Sequence, residues 1–150
     1  MSLAPLYTTD FVALRDTDTV AQATEQMLRH RVTDLPVVDE AGRLVGLFKL
    51  ERVLAGLLPK AALVGYGMTD LGFVASTIDD MRAHMRDIEH RPVHEFVVTP
   101  DHTVTPETSP MEIVLLLYRG ANNVPVLGAD RKLVGMVSTR DLLTALHQEG

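Results

Sequence analysis

Pro36-Val37 followed by Leu44-Val45-Gly46 recurs as Pro125-Val126 followed by Leu133-Val134-Gly135, 89 residues further along the chain. At the same offset Thr19 falls on Thr108, Leu28 on Leu117, Leu54 on Leu143 and Leu57 on Leu146, with no gap. A constant offset held over so long a stretch marks a duplicated structural unit. Duplication creates a pseudo-twofold axis, and a groove forms where like surfaces meet.

Around the repeated tripeptide each copy reads β-α-β-β-α. In the first, Tyr7 to Leu14 holds a short strand, and Asp16-Thr17-Asp18-Thr19 is a turn with capping residues. Val20 to His30 follows as a helix with Val20, Ala23, Thr24, Met27 and Leu28 on one face. Leu35 to Val38 and Leu44 to Phe48 are strands, with Pro36 expected at a first position or an edge. Glu51 to Leu58 is a helix stopped before Pro59. In the second copy a short strand lies within Val97 to Val104. Met111 to Tyr118 is a helix, Val124 to Leu127 and Leu133 to Val137 are strands, and Thr139 to His147 is the closing helix. The fold class is α/β (α+β), with repeats over 1–58 and 93–150 joined by a linker over 59–92. Neither repeat buries its apolar face well alone, so the two are expected to pack together. In the linker, Ile78, Met81, Met85 and Ile88 form one apolar stripe on a helix from Thr77 to His90. That stripe suits either docking on its own domain or a dimer seam.

The bulk chemistry narrows the function. The chain has 150 residues, 46 % of them apolar but only 5 % aromatic, so its core is aliphatic. A formal charge of −6 opposes nonspecific nucleic-acid binding, which needs a basic footprint. With no cysteine, disulfides, thiolate zinc sites and thiol nucleophiles are excluded, which suits a cytoplasmic protein. The first residues do not read as a signal peptide. The most apolar stretch, Leu57 to Ala75, carries Lys60 and Asp70 and is not read as a membrane span.

Chemistry-bearing motifs are few. In Gly135-Met136-Val137-Ser138-Thr139-Arg140-Asp141 a strand runs straight into a helix. Free N–H groups at such a start hold anions, a Ser138 hydroxyl reaches a phosphate, and the Asp141 carboxylate accepts from a vicinal diol. Ser-x-x-Asp is equally a capping box, and both readings stand. At the matching place in repeat one, Lys49 replaces the hydroxyl and Arg52 the carboxylate. That pair is either a solvated helix face or two cations for polyphosphate oxygens. His90 and His94 are separated by the helix-breaking Pro92, so no metal site is expected. Gly65-Tyr66-Gly67 lacks the context of a dinucleotide loop, and no G-x-S-x-G elbow is present. Asp79 and Asp80 suit the start of a helix. With no nucleophile–base pair, no metal set and no phosphate loop, the chain is not read as an enzyme.

His30-Arg31-Val32-Thr33-Asp34-Leu35-Pro36-Val37-Val38-Asp39 with Gly42-Arg43-Leu44-Val45-Gly46 resembles the core signature of cystathionine-β-synthase (CBS) domains. Asn122-Asn123-Val124-Pro125-Val126 with Lys132 to Leu143 resembles it more closely. Two copies at this spacing look like a tandem CBS pair, or Bateman module. The resemblance implies two clefts about a pseudo-twofold axis, a regulatory role, and an adenosine-containing ligand (AMP, ADP, ATP or S-adenosylmethionine) rather than a required cofactor. By that resemblance Asp141 holds a ribose, Ser138 with Thr139 meets a phosphate, and Val12, Val32, Thr33 and Asp34 of the other repeat hold the base. The second cleft would pair Ala121, Asn122 and Asn123 with Lys49 and Arg52. That set departs from the family pattern, so one competent nucleotide site is expected. The competing expectation is a structural, dimerising module with no nucleotide. No effector domain is read in the chain, so if it is complete it is expected to act on a partner, an unknown effector protein, or as an oligomer, and a homodimer is expected.

Overall fold

The computed structural model describes residues 6–58 and 78–147. The expected Gly65-Tyr66-Gly67 connector and most of the 59–92 linker lie outside the described residues.

Repeat one runs β1 (Leu14–Arg15), α1 (Val20–His30), β2 (Asp34–Val38), β3 (Leu44–Lys49) and α2 (Leu50–Leu57). Helix α3 (Ile78–Glu89) and β4 (Val97–Val98) follow. Then come α4 (Pro110–Tyr118), β5 (Val124–Leu127), β6 (Leu133–Val137) and α5 (Thr139–His147). Local chemistry explains the boundaries. Thr19 and Gln22 close a reciprocal capping box at the start of α1. Ser109 caps α4 and Pro110 occupies its first turn, where a missing N–H costs nothing.

The duplication extends to register. Val37 faces Gly46 in β2–β3 as Val126 faces Gly135 in β5–β6. The bulge after Val37 reappears after Val126. Pro36, expected at an edge or first position, is instead the third residue of an inner strand. It is tolerated there because two-residue β1 meets β2 only at Val37 and Val38, so no neighbour on that flank seeks an N–H from Pro36.

The sheets are completed by exchange between the repeats. β4, which leads into repeat two, pairs antiparallel with β3 of repeat one through Leu47–Val98 and Phe48–Val97. Reciprocally, Thr8 at the head of repeat one bridges Met136 of β6, with backbone bonds of 2.9 and 3.1 Å. The cores follow the same exchange. Val93 and Phe96 are buried with Leu14, Val20, Val37, Phe48 and Val53. Leu6 is buried with Val104, Ile113, Val126 and Val137 of the other repeat. Gly46 and Gly135 sit at these crossings. A Cβ on Gly46 would stand 2.8 Å from the Val98 carbonyl oxygen, and one on Gly135 would meet the Tyr7 ring and, at 2.9 Å, the Thr8 carbonyl oxygen. The repeated tripeptide therefore ends in glycine because another backbone passes over it.

Helix α3 lies on repeat one. Met85 and Ile88 pack against its core, whereas Ile78 and Met81 at the other end of the stripe are exposed.

Candidate nucleotide site between the repeats

The pseudo-twofold axis runs between pairs of equivalent residues. Arg43 bridges Lys132, and Leu133 N–H donates to the Gly42 carbonyl at 3.0 Å. Asn123 Nδ2 donates to Asp34 Oδ1 at 2.6 Å, and these two residues are also 89 positions apart. Asp34 opens β2; Asn123 precedes β5 with φ of 53°, a left-handed conformation that asparagine tolerates. On either side of this bond lies a cleft, and both residues line both clefts.

The first cleft, about 210 Å³, draws Val12, Val32, Asp34, Leu35 and Pro36 from repeat one and Asn123, Met136 and Asp141 from repeat two. It thus unites four residues read from the sequence, Val12, Val32, Asp34 and Asp141. Ser138 does not line it, yet is bound to a residue that does. Ser138 Oγ donates to Asp141 Oδ2 at 2.9 Å, Ser138 N–H donates to the same oxygen at 3.0 Å, and Asp141 N–H donates to Ser138 Oγ at 3.1 Å. That is the capping-box alternative, and it orients Asp141 by fixing one oxygen while the other accepts no hydrogen bond among the described residues. Thr139 is exposed at the first position of α5. Thr33 lines a separate, open hollow with Lys49, Leu50 and Leu54. Thr8, Asp10, Phe11 and His30 also line the first cleft and were missed. His30 lay inside the quoted motif. Thr8 to Phe11 had no local signal, because only the strand exchange brings them there.

The second cleft, about 170 Å³, contains Lys49, Ala121, Asn122 and Asn123, which the resemblance pairs, with Asp34, Asp101 and His102. Arg52 does not line it and is exposed on α2.

Burial pushes the Asp34 carboxyl above its ordinary range, opposed by the bond from Asn123 and the nearby charge of Lys49. Among the described residues no cluster of three or more His, Asp or Glu side chains suits a metal ion.

The CBS domain family model matches residues 4–58 and 85–148. The chain belongs to the CBS domain family. As a CBS pair it is 26 % identical over 145 residues to an uncharacterised 17.7 kDa protein of Acidianus ambivalens, covering 96 % of this chain and 72 % of that one. It is 26 % identical to the chloroplastic CBS domain-containing protein CBSX1 of Arabidopsis thaliana, covering 93 % of this chain but only 60 % of that relative's length. Among solved structures, the CBS-pair protein CBSX2 from Arabidopsis thaliana superposes with a TM-score of 0.73 at 20 % identity, over 97 % of this chain and 93 % of its own. CBSX2 in complex with AMP superposes with a TM-score of 0.68. At that identity the likeness is one of fold. No helix among the described residues is long and apolar enough to cross a membrane.

Proposed function

We propose that this CBS pair is a regulatory, non-catalytic sensor that binds one adenosine-containing ligand in the first cleft. The observation that supports this reading is the meeting there of Asp141 from repeat two with Val12, Val32 and Asp34 from repeat one. The AMP complex of the similarly folded CBSX2 supports the ligand class. A cleft of about 210 Å³ is smaller than the roughly 300–1,000 Å³ of pockets that enclose a whole ligand, so base and ribose enter and the remainder faces outward. Val12, Val32 and Leu35 flank the base, the free oxygen of Asp141 accepts from the ribose diol, and Ser138 with Thr139 meets the phosphate.

Charge orders the candidates. Asp10, Asp34 and Asp141 line this cleft with no Lys or Arg, so each further phosphate held near it adds repulsion. AMP or S-adenosylmethionine is favoured over ADP, and ADP over ATP. A ligand touching both repeats shifts their arrangement only by its differential affinity for the two arrangements, and that shift is the signal passed to an effector protein.

We read residues 1–58 and 93–150 as the two units of this sensor, joined by 59–92. Calorimetry with the four ligands tests the reading: one site per chain is expected. A flat response to all four, with no thermal stabilisation, would leave the structural reading in its place.

Homodimerisation accompanies either reading. Met111 and Tyr118 on α4 and Leu143 and Leu146 on α5 are 62–86 % exposed, as is Leu28 on α1 at 76 %. Single exposed apolar residues are ordinary, but several on helices of both repeats favour a second copy as cover. Sedimentation at tens of micromolar tests it.

A further inference from the structure

Away from both clefts, α1, α2 and α3 enclose an apolar hollow. Its volume is about 470 Å³, against about 210 and 170 Å³ for the clefts, and lies within the roughly 300–1,000 Å³ of ligand pockets. Met27, Val32, Val53, Leu54, Leu57 and Met85 form its walls. Polar side chains are few. Thr24 also lines it, but its hydroxyl donates to the Val20 carbonyl of its own helix at 2.9 Å. That leaves Thr33, whose hydroxyl makes no hydrogen bond among the described residues, and Arg31.

Arg31 stands at the C-cap of α1 in the left-handed region, with φ of 55°. Its repeat-mate, 89 positions on, is Gly120 with φ of 100°, the residue that such a helix end favours. Repeat one therefore carries a strained arginine where its twin carries a glycine, and strain of this kind is concentrated at ligand sites. The guanidinium is not spent elsewhere. Ion pairs among the described residues join Arg29 to Glu25, Arg82 to Asp79 and Arg91 to Glu95, and leave Arg31 without a carboxylate. The adjoining open hollow, which shares Thr33, Leu50 and Leu54, contains Lys49, but there Asp34 and Glu51 offset that charge. An apolar trough with one uncompensated cation fits an apolar chain that ends in an anion. We propose that this hollow binds an amphiphilic carboxylate of the fatty-acid class. Its chain lies along Met27, Val53, Leu54, Leu57 and Met85, and its carboxylate accepts from Arg31 beside the Thr33 hydroxyl. Chain burial supplies affinity, and the guanidinium selects the head group. The site is separate from the nucleotide clefts and independent of the nucleotide reading.

The test varies the head group and the cation together. Calorimetry measures decanoate, 1-decanol and decyltrimethylammonium binding to the wild type, Arg31→Gly, Arg31→Lys and Leu54→Glu. The wild type is expected to bind decanoate about tenfold more tightly than decanol, the scale of one hydrogen bond between charged groups, and the cationic amphiphile most weakly. Arg31→Gly takes up the left-handed backbone without strain, so it should melt no lower than the wild type. It should bind decanoate and decanol within about threefold of each other once that bond is gone. Arg31→Lys keeps the charge and should retain part of the preference. Leu54 is half exposed, so Leu54→Glu should fold, and a carboxylate in the wall should weaken both decanoate and decanol. If Leu54→Glu does not fold, the Arg31 variants and the head-group comparison decide. Sedimentation alongside should show the same mass with and without decanoate. No decanoate binding by the wild type, equal binding of decanoate and decanol, or an undiminished preference in Arg31→Gly overturns the proposal. Dissociation of a dimer by decanoate also overturns it and assigns the hollow to a second copy of the chain.

Discussion

Asp34 and Asn123 occupy the same position in the two repeats and are hydrogen-bonded to each other at 2.6 Å across the axis that relates them. Divergence of one ancestral position into an acid and an amide is what makes this bond possible, since two carboxylates there would repel and two amides would bind less strongly. Both residues of this bond line both clefts, so the bond lies between them.

Removing the amide should loosen the interface. Asn123→Gly keeps the left-handed backbone strain-free and deletes only the donor to Asp34. A loss of about 1–3 kcal/mol is expected for a partly buried carboxylate left unpaired. Urea denaturation reads it directly, and an unchanged midpoint would show that water replaces the amide fully.

Asp34 makes stability depend on pH in a definite sense. Its folded carboxyl lies above the ordinary 3.8 because burial disfavours the charge, more than Asn123 and Lys49 favour it. Between the unfolded and folded values the native state binds the extra proton, so this group's contribution falls as pH rises from about 3.8 through the folded value. Asp34→Asn retains an acceptor for Asn123 without the charge. Its stability relative to wild type should therefore rise as pH increases from about 4 to 7. Parallel melts across that range would reveal the opposite trend if Lys49 and Asn123 outweighed burial.

Asp141 has two roles that one substitution separates. Asp141→Ala should weaken adenosine-ligand binding by about 1–3 kcal/mol through the lost ribose partner. It should also cost about 1 kcal/mol of stability, because the α5 box with Ser138 is opened. Ser138→Ala opens the same box while sparing the carboxylate, so it should share the stability loss and show a smaller binding loss. Equal binding losses in the two variants would mean that Asp141 acts only through the cap.

The glycines beneath the exchanged strands should not tolerate a methyl group. Gly46→Ala and Gly135→Ala each force a backbone to retreat and should cost about 1–3 kcal/mol. By contrast, Gly56→Ala on α2 meets only the end of the Ile88 side chain at 3.5 Å and should be neutral or slightly stabilising. Thermal denaturation of the three variants distinguishes crossing sites from an ordinary helical glycine.

Much of this protein was legible in one dimension. The offset of 89 residues announced the duplication, short apolar runs beside turn residues located the main strands, helical periodicity located the helices, and Ser138 to Asp141 were recognisable as a helix start. The elements and the helix start are encoded by neighbours within a few residues, and the duplication by self-similarity along the chain. What only the tertiary structure decided was which segments each repeat lends to the other. Thr8 reaches β6, Val97 and Val98 reach β3, and Thr33 and Arg52 fall away from the clefts while His30 and Asp10 enter them. Two-residue strands carry too little pattern to name their partners. Their placement follows from long-range packing, in which the leading segment of each repeat lends Leu6, or Val93 and Phe96, to the core of its twin.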